Sequence, residues 1–216
     1  MPSDLKRTYD ARRRRERADD ERLVTRRRVV AAARQLFIAN GYTATSMNDI
    51  ASAAGVALQS VYKAGTSKAE LLHMVVDLEV AGDDEQVMFA DRAAFQALAR
   101  QTDPRRQVRM LADQIAVVQE RSALIQAAYR QAAAVDASIA ERFEAAHQRR
   151  LQTFTSAVQM IPRSHLRRPP DEATTTIWAI ASPEVFHLLR HVRQWDAGQY
   201  RTWLRRTLAD VLLKDP

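Results

Sequence analysis

The sequence predicts an all-helical protein, on three observations. Of 216 residues only 5 are Gly and 7 are Pro, while hydrophobic residues make up 46%. Apolar side chains recur at three- and four-residue steps along Ala-rich stretches, the period of one helix face. The Pro and small polar turn residues fall in a few places, where they punctuate helices and form no linker. Within this all-α class the chain is expected to begin with a basic, flexible arm over residues 1–21. A three-helix domain with a helix-turn-helix follows over 22–68, and a helical bundle over 69–216.

Up to Arg17 the arm has seven bases (Lys6, Arg7, Arg12, Arg13, Arg14, Arg15, Arg17) against Asp4, Asp10 and Glu16. Such a run reads either as a solvated arm or, beside a DNA-reading domain, as one that follows phosphates or enters a narrow minor groove. From about Asp20 to Ala39 a helix carries Val29, Ala32, Ala33, Leu36 and Phe37 on one stripe, and Asn40-Gly41 ends it. From Thr45 to Lys68 the spacing Ala51, Gly55, Val61 matches two short helices crossing over a small residue. Gly55 supplies a positive φ in the turn, and Val61 faces inward beside Ile50 and Val56. Thr45 and Ser46 are suited to cap the first of these helices, with Asn48 and Asp49 in its first turn.

Beyond Ser67 a long helix carries Leu71, Leu72, Val75, Val76 and Leu78. Asp103-Pro104 starts another, with Val108, Leu111, Ile115 and Val118 on its stripe, and a separate helix is expected over roughly 121–134. A long helix from Asp136 ends before Pro162. Pro169-Pro170-Asp171-Glu172 opens the next, Ser182-Pro183 kinks or breaks it, and Asp196-Ala197-Gly198 precedes a last helix bearing Tyr200, Trp203, Leu204, Leu208, Val211 and Leu212. Such a bundle encloses an apolar cavity in many proteins. Met74, Met110, Tyr129, Phe143, Met160 and Trp178 read either as its lining or, more simply, as core, so no effector contact is assigned.

Composition removes several function classes. The chain has no Cys, which excludes disulfides, thiolate metal sites and Cys nucleophiles and suits a reducing compartment. No apolar run reaches the ~18 residues of a membrane-spanning helix, and the amino terminus lacks a signal-type segment, so a soluble cytoplasmic protein is expected. No Gly-rich phosphate loop, His-Glu-x-x-His or Ser elbow occurs, and neither catalytic residues nor a cofactor are expected. His187 and His191 stand four apart, but with no obvious carboxylate partner they read as surface or interface residues, and no metal is expected. The formal charge of +7 suits a polyanionic partner.

The stretch Arg28-Val29-Val30-Ala31-Ala32-Ala33-Arg34-Gln35-Leu36-Phe37, then Asn40-Gly41-Tyr42, Thr45-Ser46, Ile50-Ala51, Ala54-Gly55-Val56, Val61-Tyr62 and Ser67-Lys68-Ala69-Glu70-Leu71-Leu72 resembles the amino-terminal domain of TetR-type transcriptional regulators over roughly residues 22–75. The resemblance implies a homodimeric repressor, released from a palindromic double-stranded operator by a small-molecule effector. It implies pairing across a twofold axis through the last two helical stretches, about 174–193 and 199–213. In such a protein the second motif helix, about Leu58 to Ala64, enters the major groove, and the candidates on its exposed face are Ala57, Gln59, Ser60, Tyr62 and Lys63. Gln59 suits a bidentate pair with adenine, Ser60 a base or phosphate, and Ala57 a thymine methyl. The resemblance assigns Tyr62 and Lys68 to phosphates; the alternatives are core packing for Tyr62 and simple solvation for Lys68. Thr45 or Ser46 is placed to hold a phosphate at a helix amino terminus.

One departure stands out. Where the family usually has a His or similar residue followed by an aromatic, this chain reads Ala64-Gly65-Thr66. A looser seam under the recognition helix is expected, with Gly65 capping that helix and Thr66 or Ser67 capping the next. A different class of function remains beside the regulator: a helical small-molecule-binding protein or enzyme with an incidental basic face. Retention of sequence preference at physiological salt separates the two.

Overall fold

The computed structural model describes residues 3–82 and 93–215, with side chains from Arg17 onward. Among these the regular elements are helical: α1 (Ser3–Ala44), α2 (Met47–Ala54), α3 (Leu58–Ala64), α4 (Lys68–Ala81), α5 (Ala93–Arg100), α6 (Pro104–Ala133), α7 (Ala137–Gln159), α8 (Pro170–Ile180), α9 (Pro183–His187) and α10 (Ala197–Leu212). The only extended pairing among them is an isolated bridge between Leu166 and Leu213. The all-α class is as expected. No helix among the described residues is long and apolar enough to cross a membrane.

The chain divides into two compact units, Met1–Val75 and Val76–Pro216, and the division falls inside α4. In the first unit, Val29, Ala33 and Phe37 of α1, Ile50 of α2, Val61 of α3 and Leu71, Leu72 and Val75 of α4 are fully buried. All eight were expected inward from the sequence, whereas Leu36, Val56 and Leu78, expected beside them, are only partly buried. The helical backbone of α1 starts at Ser3, within the stretch expected to be an arm, and is interrupted at Gly41 (φ 79, ψ 169). The side chains of Lys6, Arg7 and Arg12–Arg15 lie outside the described residues.

In the second unit α6 packs against α7, α9 and α10, and α8 lies against α7 and α10. Its core includes Val108, Ala112, Phe154, Val158, Ile177, Leu204, Leu208 and Leu212. Local chemistry sets the helix starts. The carboxylates of Asp103 and Asp136 accept backbone N–H bonds in the first turns of α6 and α7. Ser182 caps α9, and Asp196 with Gln199 closes a capping box on α10. Each satisfies donors that a helix start leaves without intrahelical partners.

Two expectations are corrected here. The separate helix expected over 121–134 is the second half of α6, a single 30-residue helix. No Gly or Pro interrupts it, and its inward stripe continues through Ile115, Gln119, Ser122, Ile125 and Tyr129. The helix α5, with Phe95 and Leu98 buried, was not anticipated, since a short segment gives little periodicity.

Tyr200 offers a stability test. It is fully buried against Phe186, with ring centroids 4.9 Å apart, and its hydroxyl has no hydrogen-bond partner among the described residues. An unmatched buried donor costs about 1–3 kcal/mol. Tyr200→Phe is therefore expected to raise unfolding free energy by about 1 kcal/mol in urea denaturation, and a clear loss of stability would show that the hydroxyl is bonded.

Candidate nucleic-acid interface

The motif starts at Ser46, whose hydroxyl accepts from the Asp49 N–H at 3.1 Å while the Asp49 carboxylate accepts from the Ser46 N–H at 2.9 Å. This capping box fixes the start of α2. The bonds from the Ser46 side chain and backbone hold Asp49 below the usual carboxylate range. A carboxyl with a depressed folded pKa contributes stability that is present above its unfolded pKa and lost as pH falls through the folded value. Helicity of α2 is thus expected to decline below about pH 4, and Asp49→Asn to flatten that decline in a far-UV titration.

Between α2 and α3 the chain turns at Gly55 (φ 62, ψ 41), in the left-handed region, and its N–H bonds back to Ser52. Arg28 of α1 reaches this turn and donates from Nη2 to the carbonyls of Ala54 at 2.6 Å and Gly55 at 3.3 Å. A cation there satisfies the last carbonyls of α2 and complements its dipole. No local pattern marks Arg28 for this turn; the fold makes it a positioning residue of the motif.

With Val61 fully buried, α3 must turn its opposite side outward. Ala57, Gln59 and Lys63 are exposed, Ser60 is partly exposed, and Tyr62 is 48% exposed. Tyr62 is therefore not a core residue, and all five candidates are at least partly accessible. Ser46 is exposed at the start of α2.

Two candidates have partners inside the chain. Thr45 is 1% exposed, and its hydroxyl donates to the carbonyls of Gly41 at 2.8 Å and Leu36 at 3.3 Å. Its own N–H bonds to Tyr42. A residue so placed braces the α1–α2 turn, so the position expected at the surface belongs to Ser46 alone. Lys68 is not simply solvated: its ammonium donates to the Tyr42 carbonyl at 2.8 Å and lies 4.2 Å from the centre of that ring.

The Ala64-Gly65-Thr66 departure also resolves differently. Gly65 does cap α3, its N–H bonding to the Val61 carbonyl at 3.0 Å, with extended backbone (φ −150, ψ 123) where a left-handed cap is the commoner form. It is buried because the Leu71 side chain occupies the place of its missing side chain; a Cβ added there would lie 2.5 Å from Leu71 Cδ2. The seam is closed by a leucine from α4, and Ser67 caps α4 through the Glu70 N–H.

The carboxy-terminal unit holds a cavity of about 550 Å³ among α4, α5, α6 and α7, whose lining includes Val80, Leu98, Ile115, Tyr129 and Phe143. Of the six residues weighed as lining or core, Tyr129 and Phe143 face it, their rings 5.4 Å apart edge to face. Met110, Met160 and Trp178 pack on the core instead. His187 and His191 are exposed with ring centroids 5.1 Å apart. Among the described residues no cluster of three potential metal ligands occurs.

Comparison with known proteins bears on both units. A family model described as bacterial regulatory proteins, tetR family, matches residues 29–75. No curated protein matches the chain. A solved structure described as a transcriptional regulator from Saccharomonospora viridis in complex with choline is 18% identical, with a TM-score of 0.67 over 88% of this chain and 98% of that one. NalD, the secondary repressor of the MexAB-OprM multidrug efflux pump in Pseudomonas aeruginosa, is 22% identical, with a TM-score of 0.63 over 89% of this chain and 98% of its own. A tetR-family regulator from Mesorhizobium loti gives 19%, 0.65, 89% and 98%. At such identities the likeness is one of fold. Residues 29–75 thus match the tetR family of bacterial regulatory proteins, and the chain as a whole has the all-helical fold of solved TetR-type transcriptional regulators.

Proposed function

We propose that the protein is a sequence-specific DNA-binding repressor, a cytoplasmic homodimer released from a palindromic operator by a small-molecule effector. The observation that carries this reading is the outward face of α3. Gln59 and Lys63 are exposed while Val61 between them is fully buried. Such a helix enters a major groove, with Gln59, Ser60, Lys63 and Ala57 toward base edges. Ser46, Tyr62 and Lys68 then lie toward phosphates and set the register. Nothing in this role calls for catalysis, and regulators of this family are generally non-enzymatic.

A palindrome needs two such helices about 34–36 Å apart, hence a dimer. Leu188 and Val192, 53% and 63% exposed at the end of the 174–193 stretch, suit a pairing surface there. The apolar stripe of α10 (Tyr200, Leu204, Leu208, Leu212) is buried within the chain, so α10 would contribute its other face. Release follows from α4, which supplies Val76 and Val80 to the cavity wall and Leu71 to the seam behind α3. A ligand that prefers one position of α4 shifts the balance of binding states by its differential affinity for them.

The test is binding of the purified protein to DNA from immediately upstream of its own gene, against a scrambled duplex at near-physiological salt. Tight binding to the first alone supports the reading. Equal and strongly salt-dependent binding to both indicates a basic surface without sequence preference, and the cavity would then point to a small-molecule-binding protein.

A further inference from the structure

We propose that the cavity of the carboxy-terminal unit binds an amphiphilic monoanion, an apolar chain or ring system bearing one carboxylate, with the acid group held by Arg149 and Arg150. This names the effector class of the regulator proposed above and rests on that reading for its biological role.

The charge on the cavity wall is unbalanced. Three arginines, Arg121, Arg149 and Arg150, line the cavity against a single carboxylate, Asp77. Arg121 donates to the carbonyls of Glu79 and Val80 near the end of α4. Other arginines of this unit have carboxylate partners, as in Arg130–Glu184, Arg190–Glu120 and Arg205–Asp113. Among the described residues, Arg149 and Arg150 have none within ion-pair distance.

Arg150 is half-buried and donates to the carbonyls of Trp178 at 3.1 Å and Ala181 at 3.3 Å, with its guanidinium 4.8 Å from the centre of the Trp178 ring. Carbonyls at a helix end carry only part of a charge, so the cation is incompletely balanced. Its buried Nε has no hydrogen-bond partner among the described residues. Glu184 acts on Arg150 through space but is held by Arg130 at 2.7 Å. An unpaired cation in a low-dielectric wall favours an anion far more than a surface arginine does.

The surrounding groups fit a carboxylate. His147 on the same wall has its pKa lowered, first by burial and then by Arg150, so it stays neutral and adds no competing charge. Burial pushes the Tyr129 hydroxyl up to about 12, which keeps it a donor. Gln114, Gln119, Gln126 and Thr153 complete the polar part. The rest of the wall is apolar, and about 550 Å³ lies within the range of small-ligand sites. The facing rings of Tyr129 and Phe143 would otherwise suit a cation, but two arginines on α7 oppose one.

The proposal is tested by calorimetric titration of the full chain with decanoate, decanol and decyltrimethylammonium. Decanoate is expected to bind at least about tenfold more tightly than decanol, with the ammonium weakest, as charge-assisted bonds are worth about ten- to a hundredfold. Arg149→Gln, at an exposed site that caps no helix, should lower decanoate affinity about tenfold and leave decanol unchanged. Arg150→Gln should lower it further; if that variant does not fold, Arg149→Gln and the three-ligand comparison still decide. Decanol or the ammonium binding as tightly as decanoate, no binding by any of the three, or an Arg149→Gln variant with full decanoate affinity would each overturn the proposal. Binding to the upstream duplex is read separately. Its loss in the unliganded protein overturns the regulator reading, while failure of ligand binding with DNA binding intact overturns the anion site alone.

Discussion

Affinity for the upstream duplex is expected to fall about a hundredfold or more when Gln59 and Lys63 are both replaced by alanine. The two residues stand four apart on the exposed side of α3, and both are exposed. A good bidentate base contact is worth about 1–3 kcal/mol of discrimination, and two such contacts combine to about two orders of magnitude or more. Neither residue is part of the buried core, so the melting temperature should hold. Lys68→Ala should behave differently. Its ammonium ties the start of α4 to the Tyr42 carbonyl at 2.8 Å. Losing that bond should lower stability by about 1 kcal/mol and weaken all DNA alike. Competition titrations of operator against scrambled DNA decide the matter. If the double variant loses both duplexes in the same proportion, the assignment of Gln59 and Lys63 to base readout is wrong.

The seam between Gly65 and Leu71 should show the largest effect on stability. Leu71 is fully buried, and Leu→Ala at such a site costs about 2–5 kcal/mol. Gly65→Ala alone should cost about 1–3 kcal/mol, because the new Cβ would lie 2.5 Å from Leu71 Cδ2 and 2.8 Å from Cγ in a packed core. In the double variant the added methyl enters space that the leucine has left. The combined loss should therefore be smaller than the sum, a coupling of about 1 kcal/mol or more for residues in direct contact. Urea denaturation of the four proteins measures it. Strict additivity would mean that Leu71 does not occupy the place of the missing side chain, and that the seam is as loose as the Ala64-Gly65-Thr66 stretch suggests.

How much was legible in the sequence depends on the range of the interaction. Asp103, Asp136, Ser182 and Asp196 announced helix starts because a cap bonds backbone only two or three residues away. Gly55 announced the turn because its positive φ is a property of that residue alone. Val61 could be assigned inward, and Gln59 and Lys63 outward, from helical period and motif spacing. The misplaced or unforeseen residues are those whose partners lie elsewhere in the chain or whose role the turn geometry decides. Thr45 looked like a second cap, yet it is drawn inward by the carbonyls of Gly41 and Leu36. Nothing local marks Arg28 for the turn, yet it reaches 26 residues along the chain to the Ala54 carbonyl.

By itself the sequence determined the helical class, the motif and its exposed face, since these follow from periodicity, capping and one glycine's conformation. Only the tertiary structure decided that Leu71 closes the seam at Gly65, that α6 runs unbroken, and that Arg149 and Arg150 share a cavity wall with Tyr129. Those outcomes depend on which helices meet and at what depth. Packing sets that through side chains distant in sequence, and no local pattern records it.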